Sequence, residues 1–269
     1  MGRAYLHSAG LQKFVRRPAK PRYFPTVRGK SKTANAKELC VLVIDIGGSN
    51  VKLRNSADWR TAKFKSGKTM TARQMARQAR ELTSDWHYDV VSIGIPGPVR
   101  HGRPTADPIN IGGGWRRVDF KKVFGKPVKL INDAAMQALG SYEGGRMLFI
   151  GLGTGLGSAL IVDDVVVPLE LCEMRYSRRK TLEDLLGKRG LRRIGPARWR
   201  KAVEAAIANL KAAFVADYVV IGGGNVKKLK HLPAGARRGS NRHAFRGGVR
   251  LWQQSPMGAR VKNQRLIIT

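Results

Sequence analysis

The chain has 269 residues, enough for one large domain or two small lobes, and its 42% apolar content is that of an ordinary globular protein. Two cysteines, Cys40 and Cys172, exclude a disulfide framework or a Cys-rich zinc site, and no apolar run reaches the roughly 18 residues of a membrane span, so a reducing, cytoplasmic setting is expected. Lys and Arg number 51 against 18 Asp and Glu, a formal +33 that attracts polyanions, although a solvated basic surface accounts for it as well.

Residues 1–38 hold ten basic residues and one acid, interrupted by Pro18, Pro21 and Pro25. This segment reads as disordered: a transit peptide, a mobile tail, or an artefact of a misassigned start. Leu6 stands where a myristoylation signal needs Ser or Thr. The remainder still carries 41 basic residues against 17 acidic.

Val41–Ile46 reads as a buried strand and Val51–Leu53 as its hairpin partner. A helix is expected over Thr71–Leu82, with Thr71 as cap and Met75, Ala79 and Leu82 on one face. Val90–Ile95 and Val128–Ile131 read as strands, and a helix starts at Asp133. Met147–Ile150 and Ser158–Val162 flank a glycine turn. Helices follow over Thr181–Leu186 and Ala197–Phe214, then a strand over Tyr218–Ile221 and a further helix. Residues 253–269 form a basic tail. The alternation predicts an α/β protein.

Two familiar phosphate fingerprints fail. Ser66-Gly67-Lys68-Thr69 lacks the earlier P-loop glycine, since position 62 is alanine, and no apolar strand precedes it. In Gly151-Leu-Gly153-Thr154-Gly155-Leu-Gly157 the third glycine of a dinucleotide motif would fall on Leu156 or Ser158.

Five turns nevertheless follow strands in a distinctive order: Asp45 to Lys52, Gly94 to Val99, Asn132-Asp133-Ala134, Gly151 to Gly157, and Gly222-Gly223-Gly224-Asn225. Glycines after strands permit tight turns and let backbone N–H groups approach phosphate oxygens. That order, over residues 39–252, resembles the ROK family of sugar kinases. Four further stretches are similar to its polyphosphate-dependent glucokinases: Asn110 to Trp115, Lys180 to Asp184, Gly222 to Leu229, and Gly247 to Trp252. The resemblance implies a two-lobed actin/hexokinase-like (ribonuclease H-like) fold with an interlobe cleft, the lobes being residues 39–132 and 133–252.

The resemblance also implies phosphoryl transfer to a hexose 6-hydroxyl from polyphosphate or ATP, with Mg2+. Asp133 would accept the hydroxyl proton, and its place at a helix N-terminus is expected to keep it ionised. Asp45 would hold Mg2+ through water. Gly47, Gly48, Ser49 and Lys52 would form one phosphate loop, and Gly153, Thr154 and Gly155 the other. Gly222, Gly223 and Gly224 would lie beside a nucleotide, and Asn110, Asn132, Glu170, Glu173 and Glu183 along the sugar. The basic excess, rather than the resemblance, points to Lys227, Lys228 and Lys230 as lining a polyphosphate groove, and solvated helix lysines account for them equally well. Relatives often form homodimers, a partner the resemblance leaves open.

One departure stands out. Where the family motif has Gly-His, this chain has Cys172-Glu173. A second acid beside Glu170 is expected to raise one carboxyl pKa or to drive Glu173 outward, and Cys172 adds a Cβ where a left-handed backbone would favour glycine. An alternative reading is therefore a catalytically impaired sugar-binding regulator. The family's zinc-binding Cys cluster is absent, so zinc is not expected. No aromatic-rich basic strand or zinc module supports nucleic acid as the partner.

Overall fold

The computed structural model describes residues 39–253. The expectations for residues 1–38, and for all but the first residue of the 253–269 tail, lie outside that span.

In chain order the strands begin with β1 (Val41–Ile46), β2 (Asn50–Asn55) and β3 (Thr61–Lys65), followed by helix α1 (Ala72–Leu82). Next come β4 (Val90–Ile95) and a small hairpin, β5 (Val99–Arg100) with β6 (Arg103–Pro104). Helix α2 (Phe120–Phe124), β7 (Val128–Asn132) and α3 (Asp133–Ser141) complete the first half. The second half opens with β8 (Arg146–Leu152), β9 (Leu156–Val162) and β10 (Val165–Leu169). A short pair, β11 (Arg175–Ser177) and β12 (Lys180–Thr181), leads into α4 (Leu182–Leu186) and α5 (Lys188–Ala213). The last elements are β13 (Tyr218–Gly222), β14 (Ala236–Arg238) and α6 (Arg242–Arg250).

Two five-stranded mixed sheets result, ordered β3-β2-β1-β4-β7 and β10-β9-β8-β13-β14. In each, an antiparallel meander supplies three strands and crossover connections add parallel ones. β1 and β4 are buried along their whole length, which is why they read as continuous apolar runs.

Helices α3 and α6 pack on each other, α3 against strands of both sheets and α6 against β1 and β4. Their shared core joins Val41, Val43 and Ile131 to Phe149, Ile161 and Val220. Outer cores form where α1 and α2 cover the first sheet and α4 and α5 the second. The α3–α6 contact is close because both helices offer glycine. A Cβ on Gly140 would lie 1.8 Å from the His243 carbonyl oxygen, and one on Gly247 would lie 1.8 Å from that of Met136.

Sequence-based expectations hold for β1, β4, β7 and the cap of α1, where Thr71 and Gln74 form a reciprocal capping box. Several need correction. Leu82 is 41% exposed rather than on the buried face of α1. A strand, β3, does precede Ser66, but only its Phe64 is buried, so the P-loop reading still fails. The helix expected over Ala197–Phe214 is present, beginning after a break at Gly195, whose φ is 76°, and Pro196; what the sequence did not announce is the helical stretch from Lys188 that precedes the break. The helix expected after Gly224 is a single 3-10 turn, Gly224–Lys228. Among the described residues no helix is long and apolar enough to cross a membrane.

Candidate active site

Parallel pairing brings the first two acids to one end of the first sheet. Asp45 on β1 is level with Gly94 on β4, and Gly94 with Ile131 on β7. Asn132 and Asp133 follow directly, at the point where β7 turns into α3. Gly94 lies at the centre of this row, closely packed against α3. A Cβ there would meet Met136 Cε at 2.4 Å, so the end of the Met136 side chain would have to move, and it would rest in ordinary contact with Asp133 Cα at 3.5 Å.

Asp45 is only 6% exposed, and its Oδ2 accepts from Lys52 Nζ at 3.3 Å across the β1–β2 ladder. Burial pushes its pKa up, against the pull of Lys52. Lys52 thus neutralises an acid instead of reaching freely toward the turn. The turn itself is braced by Gly47 N–H donating to the Asn50 carbonyl, and by Ser66 Oγ donating to the Gly47 carbonyl at 2.6 Å. Ser49 is exposed at its tip. Gly48 faces the Asn110 side chain, 3.6 Å from where a Cβ would sit, so two predicted site segments meet here.

Asn132 is the N-cap of α3. Its Oδ1 accepts from Ala135 N–H at 3.0 Å and its Nδ2 donates to the Gly97 carbonyl at 3.0 Å, so both ends of the amide already hold structure. Asp133 Oδ1 accepts from Ala134 N–H at 2.8 Å. The helix end alone does not keep Asp133 fully ionised at neutral pH. Burial, then the charge of Asp45 and that of Glu170, outweigh the backbone hydrogen bond and raise its pKa from 3.8 to about 7.

The second sheet brings a row of three glycines alongside. Gly157, Gly151 and Gly222 are level across β9, β8 and β13. A Cβ on Gly157 would lie 2.7 Å from that of Ala134, so this glycine lets the strand touch the first turn of α3, next to Asp133. Beyond the row the loops are laced together. Gly153 N–H donates to the Gly155 carbonyl, and Asn225 Nδ2 donates to the Gly153 carbonyl at 2.8 Å. Gly223, with φ of 82°, backs onto the Leu152 backbone, which a side chain would strike at 2.4 Å. Thr154 is exposed at the loop tip, and Gly224 faces open space.

Glu183 lies under this loop. Its Oε2 accepts from Leu156 N–H at 3.2 Å and would lie 2.4 Å from a Cβ on Gly155. It therefore supports the glycine turn directly. Ser158 holds the Glu170 segment, donating to the Leu169 carbonyl and accepting from Leu171 N–H. Cys172 Sγ donates to Glu170 Oε2 at 3.4 Å. Partial burial raises the Glu170 pKa, with Glu173 and Glu183 adding to the effect and the Cys172 hydrogen bond opposing it. Glu173 is exposed. The Glu170 carboxyl is thus raised mainly by burial, with the extra acid a smaller contribution. The expected backbone conflict at Cys172 does not occur: it sits in a 3-10 turn and its φ is not positive. Burial and Glu170 push its thiol up to about 12, so it stays protonated.

Asp45, Asp133, Glu170, Glu183 and the glycine loops thus form one continuous set. Lys227, Lys228 and Lys230 are exposed on and just after the 3-10 turn behind Gly224. Two concavities, of about 740 and 1260 Å3, lie elsewhere, around the 115–130 region, and include none of these residues. Sequence reasoning missed Ser66, Ser158 and Asp107. The Asp107 carboxylate accepts from the N–H groups of Gly114 and Trp115, fixing the loop that carries Asn110, and those bonds hold its pKa down. An Asp before Pro108 was the available signal, since Asp commonly anchors turns.

The chemistry fits a divalent ion with its phosphate donor. Asp45 offers a hard oxygen that Lys52 does not occupy, and the mutual repulsion of Asp45 and Asp133 would be relieved by positive charge.

No family model matches the sequence, and no curated protein matches it. Solved structures do match the fold. An inorganic polyphosphate/ATP-glucomannokinase from Arthrobacter sp. strain KM superposes with a TM-score of 0.67 at 21% identity, over 78% of this chain and 97% of that one. A ROK family glucokinase from Streptomyces griseus, in complex with glucose and AMPPNP, gives 0.63 at 19% identity, over 79% and 98%. A ROK family transcriptional regulator, a homolog of the E. coli MLC protein, gives 0.62 at 14%, over 80% of this chain and 78% of that one. The chain therefore has the two-sheet, actin-like fold of the ROK sugar kinases.

Proposed function

We propose that the chain is a Mg2+-dependent sugar kinase, transferring phosphate from polyphosphate or ATP to the 6-hydroxyl of glucose or a similar hexose. The observation that carries this reading is Asp133. It stands at the first turn of α3 with a pKa of about 7, between Asp45 on one sheet and the glycine loops of the other. A general base works best with a pKa near the operating pH.

The positions support the following roles. Glu170 accepts sugar hydroxyls, and Asn110 reaches toward them from beside Gly48. Asp133 takes the proton from the attacking hydroxyl. Backbone N–H groups of the 47–49 and 153–155 turns and the Thr154 hydroxyl hold the phosphate being transferred. Asp45 would hold Mg2+ through water, and the ion would offset the donor's charge. Residues 39–132 and 133–252 would be the lobes that close on the sugar, with α6 of the second stretch seated on β1 and β4 of the first, in a cytoplasmic setting. The exposed lysines 227, 228 and 230 favour a polyphosphate donor. A coupled assay with glucose, Mg2+ and either donor tests the proposal; no turnover with polyphosphate or with ATP would refute it.

The pH dependence is specific. Since kcat/KM reports the free enzyme, it is expected to rise tenfold per pH unit below about 7 and to flatten above, as Asp133 ionises. A profile flat from pH 5 to pH 8 would remove Asp133 from the role of base.

A second reading is a sugar-binding regulator with little catalysis, motivated by Cys172-Glu173 and by the regulator that shares the fold. It predicts glucose binding by calorimetry without turnover. Under the kinase reading, Glu173→His restores a group that both donates and accepts, and the KM for glucose is expected to fall severalfold with kcat little changed. An unchanged KM would mean that position 173 does not face the sugar.

A further inference from the structure

We propose that Cys40, His87 and Asp89 form a zinc-binding site at the end of the first sheet opposite Asp133. Cys40 immediately precedes β1, while His87 and Asp89 immediately precede β4. Because β1 and β4 are parallel, with Val41 level with Val90, the two segments emerge side by side. One ligand atom from each residue lies within 4.8 Å of the others, and His87 Nε2 is 3.8 Å from Asp89 Oδ1. A thiolate, an imidazole and a carboxylate are the donors that a borderline-soft dication prefers, and three protein ligands leave a fourth position for water.

The scaffold under these donors is already fixed. Asp89 N–H donates to the Cys40 carbonyl at 2.8 Å. Cys40 N–H returns a bond to Asp89 Oδ2 at 2.8 Å, and Asp89 Oδ1 is the oxygen nearer His87. The His87 carbonyl accepts from the buried Asn55 Nδ2 at 2.9 Å. Outer hydrogen bonds of this kind orient metal ligands and sharpen affinity. The thiolate and the carboxylate together cancel the charge of the ion, which matters in a chain of formal charge +33. β1 and β4 run from this site toward Asp45 and Gly94, so the ion would clamp the strand starts and take no part in phosphoryl transfer.

The test uses the full-length chain without an affinity tag. Added Co2+ is expected to bind at one equivalent with a thiolate-to-metal charge-transfer band, and Zn2+ to displace it and raise Tm in a concentration-dependent way. Only two cysteines can give that band. Cys40→Ser is expected to abolish it, and Cys172→Ser to leave it intact. His87→Ala alters a side chain that is 72% exposed, so the fold survives, and it is expected to weaken binding by at least about tenfold. Absence of the band in the parent chain, its survival in Cys40→Ser, its loss in Cys172→Ser, or unchanged affinity in His87→Ala would each overturn the proposal.

Discussion

Asp133→Asn is expected to lower kcat by about a hundredfold to ten-thousandfold while leaving the chain folded. Asn has the shape of Asp and still accepts from Ala134 N–H, but it cannot take a proton. The same change is expected to stabilise the protein at neutral pH. Asp133 has a folded pKa of about 7 against an ordinary 3.8. Between those values the folded state binds a proton that the unfolded state does not, so stability falls as pH rises through that window. The Tm advantage of the Asn variant should therefore be small near pH 4, grow toward pH 7 and hold level above it. Thermal melts at several pH values, run beside the coupled assay, measure both effects. Full activity in the variant would defeat the catalytic assignment, and a uniformly lower Tm would show the carboxylate to be structural.

The second large effect concerns packing. Gly247→Val is expected to destabilise the fold by about 3 kcal/mol or more, because the obstacle at 1.8 Å is a backbone carbonyl that cannot rotate aside. For a domain of this size that is a fall in Tm of roughly 6–12 °C. The same substitution at Gly102, where a Cβ would meet nothing within 4 Å, is expected to cost less, the strain of its φ of 67° being the main term. Equal losses at the two positions would show that α3 and α6 are not in the close contact described. Chemical denaturation of the two variants decides it.

Much of this was legible in the chain. Buried parallel strands announce themselves as apolar runs, so β1, β4 and β7 were readable, and with them the ends that carry Asp45 and Asp133. β3 was not, because an edge strand with one buried residue has no apolar signature. Spacing showed that glycines followed strands. It did not show that Gly157 and Gly222 lie level with Gly151, since register is a property of pairing between distant segments. The raised pKa of Asp133 was not foreseen for a related reason. The helix end is local and visible, whereas Asp45 and Glu170 reach it only through the tertiary fold. Glu183 was assigned to the sugar by its matching position alone; that it also braces the glycine loop, through Leu156 N–H, was not legible because the two are distant in sequence.

Helix α6 comes last among the described elements and yet finishes the first sheet. Gly248 seats against Val43, and its carbonyl accepts from Ser92 Oγ at 2.6 Å. Lys129 Nζ reaches the Leu251 carbonyl, and Trp252 Nε1 donates to Ser92 Oγ. During synthesis, then, the opening strands wait with one oily side bare until some two hundred further residues have left the ribosome. Such an interval invites chaperone capture, and a transcript cut short before codon 242 would yield a product prone to clump.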